Sequence, residues 1–250
     1  MKYAPIILFT YNRLWHSKIT IESLLLNPEA AESHLIIYSD AAKSSKDEKA
    51  VQELRAYLRS INGFASVKII EQKENQGLSK SIIKGVTECL KEYNSVIVLE
   101  DDLKCSPYFL RYMNEGLDKF EEEEKVACVH AYCYPIEKLD QCFFLKGSDC
   151  WGWGTWRRSW NTFEKDGKKL LKELEAKDLF HEFDFNGAYP YTKMLKDQIE
   201  GKNDSWAVRW KASAFLREQL CLYYQQSLVQ NIGNDNSGTH SNATDAFYVD

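Results

Sequence analysis

The sequence predicts an α/β fold in which a mostly parallel, Rossmann-like sheet is flanked by helices. Through about residue 130, short apolar runs alternate with segments of helical periodicity, and the connections between them are short. A chain of 250 residues suits one such domain with an appended subdomain. After residue 130 this alternation is lost, and six of the seven tryptophans occur there. We therefore expect a Trp-rich C-terminal part that faces the substrate.

Five strands are predicted before residue 130, near residues 4–10, 34–39, 66–71, 95–100 and 126–130. Between them, apolar side chains recur at helical spacing and predict core-facing helices. Ser106 and Pro107 predict the start of the next helix, as N-cap and first helical residue. Residues 222–229 predict a late strand, and the Gly-, Asn- and Ser-rich stretch near 231–241 predicts a flexible loop that could act as a lid.

Composition argues against several classes of protein. The net charge is -5 and no dense basic run occurs, so nucleic acid is not an expected partner. The seven cysteines are scattered without a C-x-x-C pair, which predicts reduced thiols and neither a disulfide framework nor a zinc site. No apolar run has the length of a membrane span. A cytoplasmic protein is the expectation.

Three consecutive carboxylates, Glu100, Asp101 and Asp102, follow one of the apolar strands. Open α/β sheets bind ligands at this end of their strands, and a hard cation such as Mg2+ or Mn2+ held by carboxylates can bridge to nucleotide phosphates. A solvated acidic turn before a helix is the alternative, but mutual repulsion favours a metal site. We expect Asp102 to bind the metal, Asp101 to support the nucleotide, and Glu100 to orient the loop.

Two earlier strand ends would face the same edge of the sheet. The first carries Thr10, Asn12 and Arg13, and the second ends at Asp40. A carboxylate there can accept a hydrogen bond from a nucleobase, and an arginine can contact phosphate. Helix capping by Asp40 and Asn12 is an equally good interpretation.

Residues 75–80 follow the third strand and open a helix. Their backbone N–H groups and Lys80 could receive an anion or a sugar. An ordinary loop with Ser79 as N-cap explains the pattern nearly as well.

Glycine and tryptophan alternate in residues 151–154. We expect Trp151 and Gly152 to line a pocket in which backbone and indole approach a sugar. Trp153, Trp156 and Trp160 have the spacing of a helix, and for Trp156 and Trp160 we favour a place in the core.

Two further residues could take part in chemistry. Asp204 precedes an apolar helical pair and is either an N-cap, which local sequence favours, or a catalytic base. His240 lies in the flexible loop and could complete a metal shell or touch a diphosphate, although a lone loop histidine seldom does either.

The chain resembles the GT-A fold nucleotide-sugar glycosyltransferases, and more narrowly the N-acetylglucosaminyltransferase I type and its bacterial relatives. The segments that carry this resemblance extend over most of the chain: Thr10-Tyr11-Asn12-Arg13, Ser39-Asp40, Glu100-Asp101-Asp102 with Ser106-Pro107-Tyr108-Phe109, Gly152-Trp153-Gly154 and Asp204-Ser205-Trp206. The acidic segment is fairly specific, and the others are individually weak.

The resemblance implies that Asp40 binds the nucleobase, Asp101 the nucleotide and Asp102 a Mn2+ ion, with Asp204 as catalytic base. It implies an inverting transfer from a UDP-, GDP- or dTDP-linked sugar, hexosyl or N-acetylhexosaminyl, to a glycan or lipid-linked acceptor. Residues 1–130 would bind the nucleotide sugar, and residues 131–250 would form the acceptor-binding and catalytic half of the same domain. The animal members carry a membrane anchor that this sequence lacks, so a bacterial enzyme of surface polysaccharide synthesis is expected, with peripheral membrane association through its acceptor.

Two other functions remain as alternatives. A sugar-phosphate nucleotidyltransferase could use a similar sheet, but no glycine-rich, basic loop follows the first strand. A carbohydrate-binding module could use the tryptophans, and it would bind glycans without nucleotide or metal.

Overall fold

The structure is a computed structural model that describes residues 3–136, 139–235, 244 and 248–249. Its strands are β1 (Ile6–Thr10), β2 (His34–Ser39), β3 (Ser66–Glu71), β4 (Ser95–Glu100), β5 (Leu103–Cys105), β6 (Val126–His130), β7 (Cys142–Lys146), β8 (Trp153–Trp156), β9 (Leu220–Tyr224) and β10 (Val229–Asn231). Its α-helices are α1 (Leu14–Leu25), α2 (Ser45–Leu58), α3 (Leu78–Glu92), α4 (Phe109–Lys119), α5 (Arg157–Trp160), α6 (Gly167–Ala176), α7 (Phe180–Phe183), α8 (Tyr191–Ile199) and α9 (Trp206–Leu216). A 3-10 helix spans Pro28–Glu32.

The main sheet has the strand order β3-β2-β1-β4-β8-β6-β9-β7. The first four strands in this order are parallel, and so are β6 and β9. Strand β8 runs antiparallel between β4 and β6, and β7 is an antiparallel edge strand. A second, two-stranded sheet pairs β5 with β10. The predicted α/β fold with a mostly parallel sheet is confirmed.

The five strands predicted before residue 130 correspond to β1, β2, β3, β4 and β6. Between residue 130 and the late strand the sequence predicted no strand, whereas β7 and β8 lie there and belong to the same sheet. The single late strand predicted for residues 222–229 is two strands, β9 and β10, which belong to different sheets. Residues 225–228 turn the chain from one sheet to the other, so continuous apolar sequence did not mean one continuous strand.

Helix α4 begins at Phe109, two residues later than predicted. Ser106 lies in the preceding turn, where its backbone oxygen accepts from Phe109 N (3.1 Å) and its hydroxyl accepts from Tyr108 N (3.3 Å). The serine therefore stabilises the turn that leads into the helix.

Tryptophans fill the core on both sides of β8. Trp153 and Trp156 lie on this strand three residues apart and so face opposite sides of the sheet. Trp153 packs with Trp206 and Trp210 of α9 at ring-centroid distances of 5.3 and 6.1 Å. Burial of Trp156 and Trp160 was expected and is observed, but the helical spacing of the set was misleading, since Trp153 and Trp156 are on a strand.

Within the described part of the chain, no helix is both long and apolar enough to cross a membrane.

Candidate active site

The acidic triplet lies at the carboxyl end of β4, as predicted. Glu100 is the last residue of the strand, and Asp101 and Asp102 form the turn before β5. Thr20 of α1 donates to the backbone oxygen of Asp101 (2.9 Å), and Ile232 N donates to the backbone oxygen of Asp102 (2.8 Å). Two distant parts of the chain therefore hold this turn in place.

Arg13, which precedes α1, pairs with the two aspartates of the triplet. Its Nη2 donates to Asp101 Oδ1 and to Asp102 Oδ2, the latter at 2.7 Å. We expected this arginine to contact phosphate, whereas the structure shows its guanidinium engaged with two carboxylates. Arg13 thus provides a positive charge directly at the predicted metal position.

One guanidinium does not balance the three carboxylates. Burial raises the pKa of Glu100 to about 8, and the charges of Asp102 and Asp101 act in the same direction. Burial also raises the pKa of Asp101 to about 6, although Arg13 opposes this shift. Negative charge at this turn is therefore unfavourable, and an additional cation would stabilise it.

The triplet has the chemistry of a hard-metal site. Carboxylate oxygens suit Mg2+ or Mn2+, and Mg2+ is commonly bound by one or two carboxylates together with substrate phosphates and water. Among the described residues, no three His, Cys, Asp or Glu side chains are grouped so as to hold a metal by themselves. The protein's share of such a site would thus be Asp102 with Asp101, and a phosphate would have to complete it.

The chain near residues 231–235 lies against the triplet. A Cβ atom built on Gly233 would be 2.2 Å from Asp102 Oδ2 and 3.1 Å from Arg13 Nη1, so this position has room only for glycine. His16 Nε2 and Asp235 Oδ2 are 3.0 Å apart. The first part of the predicted lid is therefore in contact with the site, whereas residues 236–241, with His240, lie outside the described residues.

Asp40 holds a neighbouring loop. Its Oδ1 accepts from Ala41 N and Gln76 N, and its Oδ2 accepts from Gly77 N and Asn75 Nδ2, at 2.8–3.1 Å. All four lone-pair positions of the carboxylate are thus used within the protein. This differs from the expectation that the carboxylate is directed at a nucleobase, and it makes Asp40 the residue that shapes the loop 74–77.

A cleft of about 420 Å3 opens beside this loop. It lies at the ends of β2 and β3, and its lining comprises Ala41, Ala42, Glu48, Val51, Gln52, Arg55, Glu71, Gln72 and Lys73. Arg55 stiffens one wall, because its guanidinium donates to the backbone oxygens of Ser39, Asp40 and Gln72. The cleft gives the first half of the chain a concave surface near the predicted nucleobase position.

Thr10 and Asn12 occupy different environments. Thr10 is buried, and its hydroxyl has no hydrogen-bond partner among the described residues. Asn12 donates to Asp47 Oδ1 on α2 (3.2 Å) and is therefore not brought to the triplet. The N-caps of α1 and α2 are Arg13 and Ser44, so the capping roles considered for Asn12 and Asp40 were wrong.

Lys80 is exposed on the first turn of α3. The N-cap of this helix is Gly77, with φ of +73°, and Ser79 instead accepts from Arg209 Nη2 (2.8 Å). The backbone N–H groups of Gln76 and Gly77 donate to Asp40. These two amides are therefore engaged within the protein, while the side chain of Lys80 is exposed.

Asp204 immediately precedes α9, whose N-cap is Ser205. The capping interpretation of Asp204 was therefore wrong. Its carboxylate is 66% exposed, and Asp204 Oδ1 lies 3.7 Å from Arg209 Nη2. Because Trp206, the first residue of α9, stacks on Trp153 of the neighbouring strand β8, the start of α9 lies near the strand that carries the triplet. Asp204 is thus accessible and on the relevant side of the sheet.

Gly152 is buried and has φ of +64°. A Cβ atom there would lie 2.9 Å from Val229 and 3.2 Å from Phe109, so this glycine is required by core packing and does not line an open pocket. Trp151 is half-buried, and its ring meets Tyr132 edge-on at 4.8 Å. Of the two residues predicted to line a pocket, Trp151 is partly accessible and Gly152 is buried.

A second polar cluster near the triplet was missed by sequence reasoning. Asp149 accepts from Tyr223 OH (2.9 Å) and from Cys150 N (2.9 Å), and His130 Nε2 lies 3.8 Å from its Oδ1. The buried Lys211 Nζ lies 3.4 Å from the backbone oxygen of Ser148. These residues come from β6, β9, α9 and the segment before β8, and none of them was a predicted site residue.

Asp149 differs from the triplet in its electrostatics. Burial alone would raise its pKa, but His130, Lys211 and the two hydrogen bonds outweigh burial and hold the pKa below its usual range. Burial lowers the pKa of His130. The carboxylate is therefore stabilised in its charged form by the protein itself.

Comparison with known proteins identifies one family. The model described as "Glycosyl transferase family 2" matches residues 6–189, which include the triplet, Asp40 and the Asp149 cluster up to β8. No curated protein matches the chain.

Solved structures show only remote likeness. A mannosyltransferase from Pyrobaculum calidifontis in complex with GDP-Man and Mn2+ has 13% identity and a TM-score of 0.37, over 53% of this chain and 37% of its own length. A putative nucleotide-diphospho-sugar transferase from Desulfovibrio desulfuricans G20 has 11% identity and a TM-score of 0.39, over 66% and 69%. UDP-glucose pyrophosphorylase complexed with UDP-glucose has 12% identity and a TM-score of 0.40, over 89% and 90%. This chain thus spans little more than a third of the mannosyltransferase, and resemblances this weak carry no argument about ligands.

Proposed function

The chain belongs to glycosyl transferase family 2, and from this premise we propose that it transfers a sugar from a nucleotide-diphosphate sugar to a glycan or lipid-linked saccharide, with inversion and with the help of a divalent cation. The observation that carries this proposal is the triplet at the end of β4, where three carboxylates face a single guanidinium. That imbalance favours a cation and, through the cation, a diphosphate.

Asp102 would hold the cation, with Asp101 beside it. A bound Mn2+ or Mg2+ supplies stabilisation of the negative charge on a departing diphosphate. Arg13 already lies between these two aspartates, so a small movement of its guanidinium would let it contact a phosphate oxygen. Glu100 would orient the turn.

The other nucleotide-side residues would act around this centre. Asp40 would shape the loop beside the cleft at the ends of β2 and β3, which we assign to the nucleobase. Thr10 has a buried hydroxyl available near the end of β1, and Lys80 has an exposed ammonium. Residues 1–130 would thus bind the donor, and residues 131–250 would supply the acceptor side.

Asp204 would act as general base. An exposed carboxylate can accept the proton of an acceptor hydroxyl while that oxygen attacks the anomeric carbon and the bond to the diphosphate breaks. Trp151 would border the transferred sugar. We further propose that the enzyme is similar to the N-acetylglucosaminyltransferase I type and its bacterial relatives, and that it transfers a hexosyl or N-acetylhexosaminyl group. It would act in bacterial surface polysaccharide synthesis. It would be cytoplasmic and would associate with the membrane through its acceptor.

A thermal-stability screen tests the proposal. UDP, GDP, CMP and dTDP compounds are each added with and without Mn2+, since a ligand that binds the folded state raises its apparent stability by mass action. We expect that one nucleotide diphosphate and Mn2+, added together, raise the melting temperature by more than the sum of the increases that each causes alone. Independence of nucleotide and metal across the whole panel would refute the proposal.

A further inference from the structure

We propose that the surface around Asp149 binds the acceptor and that it selects a neutral oligosaccharide. We call this surface the Asp149 face and define it by Tyr134, Asp149, Phe185 and Tyr189. The inference rests on the proposed function, because it assigns the second substrate of that reaction. It goes further in naming the residues that recognise this substrate and its charge class.

Aromatic side chains are exposed on the Asp149 face. Tyr134 is 48% exposed, Phe185 39% and Tyr189 40%. Tyr134 meets the ring of Tyr132 at 5.2 Å, and Tyr189 meets the ring of Tyr191 at 4.5 Å. The two pairs are close to each other, since Tyr189 is among the groups that raise the pKa of Tyr134 after burial and Asp149. Exposed apolar surface of this kind, rimmed by polar groups, marks a binding site, and a tyrosine offers both a flat apolar ring and a hydroxyl.

The segment that carries Phe185 and Tyr189 has an unusual backbone. Phe185, Asn186 and Gly187 have φ of +53°, +55° and +86° in succession. A left-handed conformation is unfavourable for a bulky residue, and such conformations concentrate at functional sites. The Lys211 ammonium lies 4.8 Å from the Phe185 ring and 4.4 Å from the Tyr191 ring, which holds the segment against α9. Phe185 is thus kept at the surface by a cation beneath it.

Asp149 supplies a hydrogen-bond acceptor in the middle of these rings. Its side chain is 34% exposed. Tyr223 OH and Cys150 N each donate to one of its oxygens, so each oxygen keeps one lone pair for another donor. Sugar hydroxyls are such donors, and hydrogen bonds to a charged acceptor are the stronger kind.

The Asp149 face is next to the triplet. The pairing of β4 with β8 ends at Val98 and Trp153, two residues from Glu100 and from Trp151 respectively. Cys150 lies between the two regions. Burial raises the pKa of its thiol most, and the next largest contributions come from the nearby charges of Asp149 on one side and Glu100 on the other. A sugar on this face would therefore be held beside the donor site.

Charge selects among possible acceptors. Among the described residues of this region, the ammonium group of Lys211 is buried beneath Phe185 and Tyr191, whereas the carboxylate of Asp149 is partly exposed. Phosphate, sulfate or carboxylate groups on a sugar would be repelled here, so the geometry favours a neutral saccharide.

The test uses the full chain and an array that carries neutral hexose oligosaccharides beside their sulfated and uronic-acid counterparts. We expect the wild type to bind neutral members and Tyr134→Ala and Tyr189→Ala to weaken this binding about tenfold each, while Tyr189→Phe retains most of it because the ring remains. Asp149→Asn should weaken binding as well, and its melting temperature shows whether it folds.

The matched control is Phe144→Ala, a ring of equal exposure (39%) that packs on Phe120 at 5.4 Å. It lies on β7 next to Phe143, which stacks on Tyr223, and neighbouring residues of a strand point to opposite faces. Its glycan binding should equal that of the wild type.

Equal binding of the alanine variants and the wild type, preference for charged oligosaccharides, or failure of the wild type to bind any neutral member would overturn the inference. Stabilisation by nucleotide diphosphate and Mn2+, measured on the same samples, separates it from the proposed function. If nucleotide stabilises the alanine variants as it does the wild type while glycan binding falls, both stand. If glycans bind and no nucleotide does, the transferase proposal fails while the saccharide site remains.

Discussion

Two carboxylate sites lie side by side at one edge of the sheet, and they differ in how their charge is balanced. In the triplet, three carboxylates share one guanidinium, and the pKa values of Glu100 and Asp101 are raised, first of all by burial. Asp149 is a single carboxylate. It is surrounded by Lys211, His130 and two hydrogen-bond donors, which together lower its pKa. The triplet is therefore stabilised by an added cation, and Asp149 is not.

This difference indicates that the two sites bind different kinds of ligand. A site with uncompensated negative charge suits a metal and a diphosphate, and a compensated carboxylate among aromatic rings suits an uncharged, hydroxyl-rich ligand. We propose that Asp204, an exposed carboxylate before the start of α9, serves the chemistry between them. The predictions below separate these roles, beginning with the largest expected effect.

Asp204→Asn should reduce sugar transfer by about 10²–10⁴-fold, the range expected when a general base is lost. Nucleotide binding with Mn2+ should persist, since Asp204 is not part of the triplet. Steady-state transfer and nucleotide titration measure the two properties. Asp197→Asn is the control, because among the described residues this carboxylate forms ion pairs with two surface lysines, Lys193 and Lys202. Full activity of Asp204→Asn would remove Asp204 from the mechanism.

Arg13→Ala should destabilise the metal-free protein by on the order of 2 kcal/mol, because Asp101 and Asp102 lose their partner. Mn2+ should then stabilise the variant more than the wild type, as the cation takes over the balancing charge. Denaturant unfolding with and without Mn2+ measures both effects. A variant whose stability is unchanged would contradict the charge balance described for the triplet.

Gly233→Ala should weaken Mn2+ affinity about tenfold, because its Cβ would meet Asp102 Oδ2 at 2.2 Å and displace the ligand. Gly201→Ala is the comparison, since no atom lies within 4 Å of the Cβ added there. Calorimetric titration with Mn2+ distinguishes the two. Equal affinities would show that Gly233 does not constrain the site.

His130 should make the protein slightly less stable as the pH falls from about 7. Burial lowers the pKa of His130 in the folded state, so the unfolded chain takes up a proton first and is favoured by acid. His130→Gln, which keeps an acceptor for Trp151 N, should reduce this slope. Melting temperatures between pH 5 and pH 8 test the sign, and an identical slope in the variant and the wild type would argue against a buried neutral ring.

The sequence was sufficient for the parallel strands and for the position of the triplet, because an apolar run followed by carboxylates is a local pattern. It was not sufficient for β8, which enters the sheet between β4 and β6 from much later in the chain. Its tryptophans had helical spacing, and only the tertiary pairing with β4 makes them a strand.

The individual roles at the site depended on distant contacts. Arg13 and Asp101 are 88 residues apart, and Asp149 and Tyr223 are 74 apart, so no spacing rule could pair them. The same is true of Asp40, whose partners in the loop 74–77 come from the next strand connection. Local sequence indicated which residues are chemically able to act, and the fold determines which of them meet.

Mn2+ binding to the wild type, Asp102→Asn and Asp149→Asn, titrated with a stabilising nucleotide diphosphate present, tests the central claim most directly. The account predicts that the wild type and Asp149→Asn bind Mn2+ with similar affinity, whereas Asp102→Asn loses at least about a hundredfold. Equal Mn2+ affinity of Asp102→Asn and the wild type, or a wild type that binds no Mn2+, would contradict it.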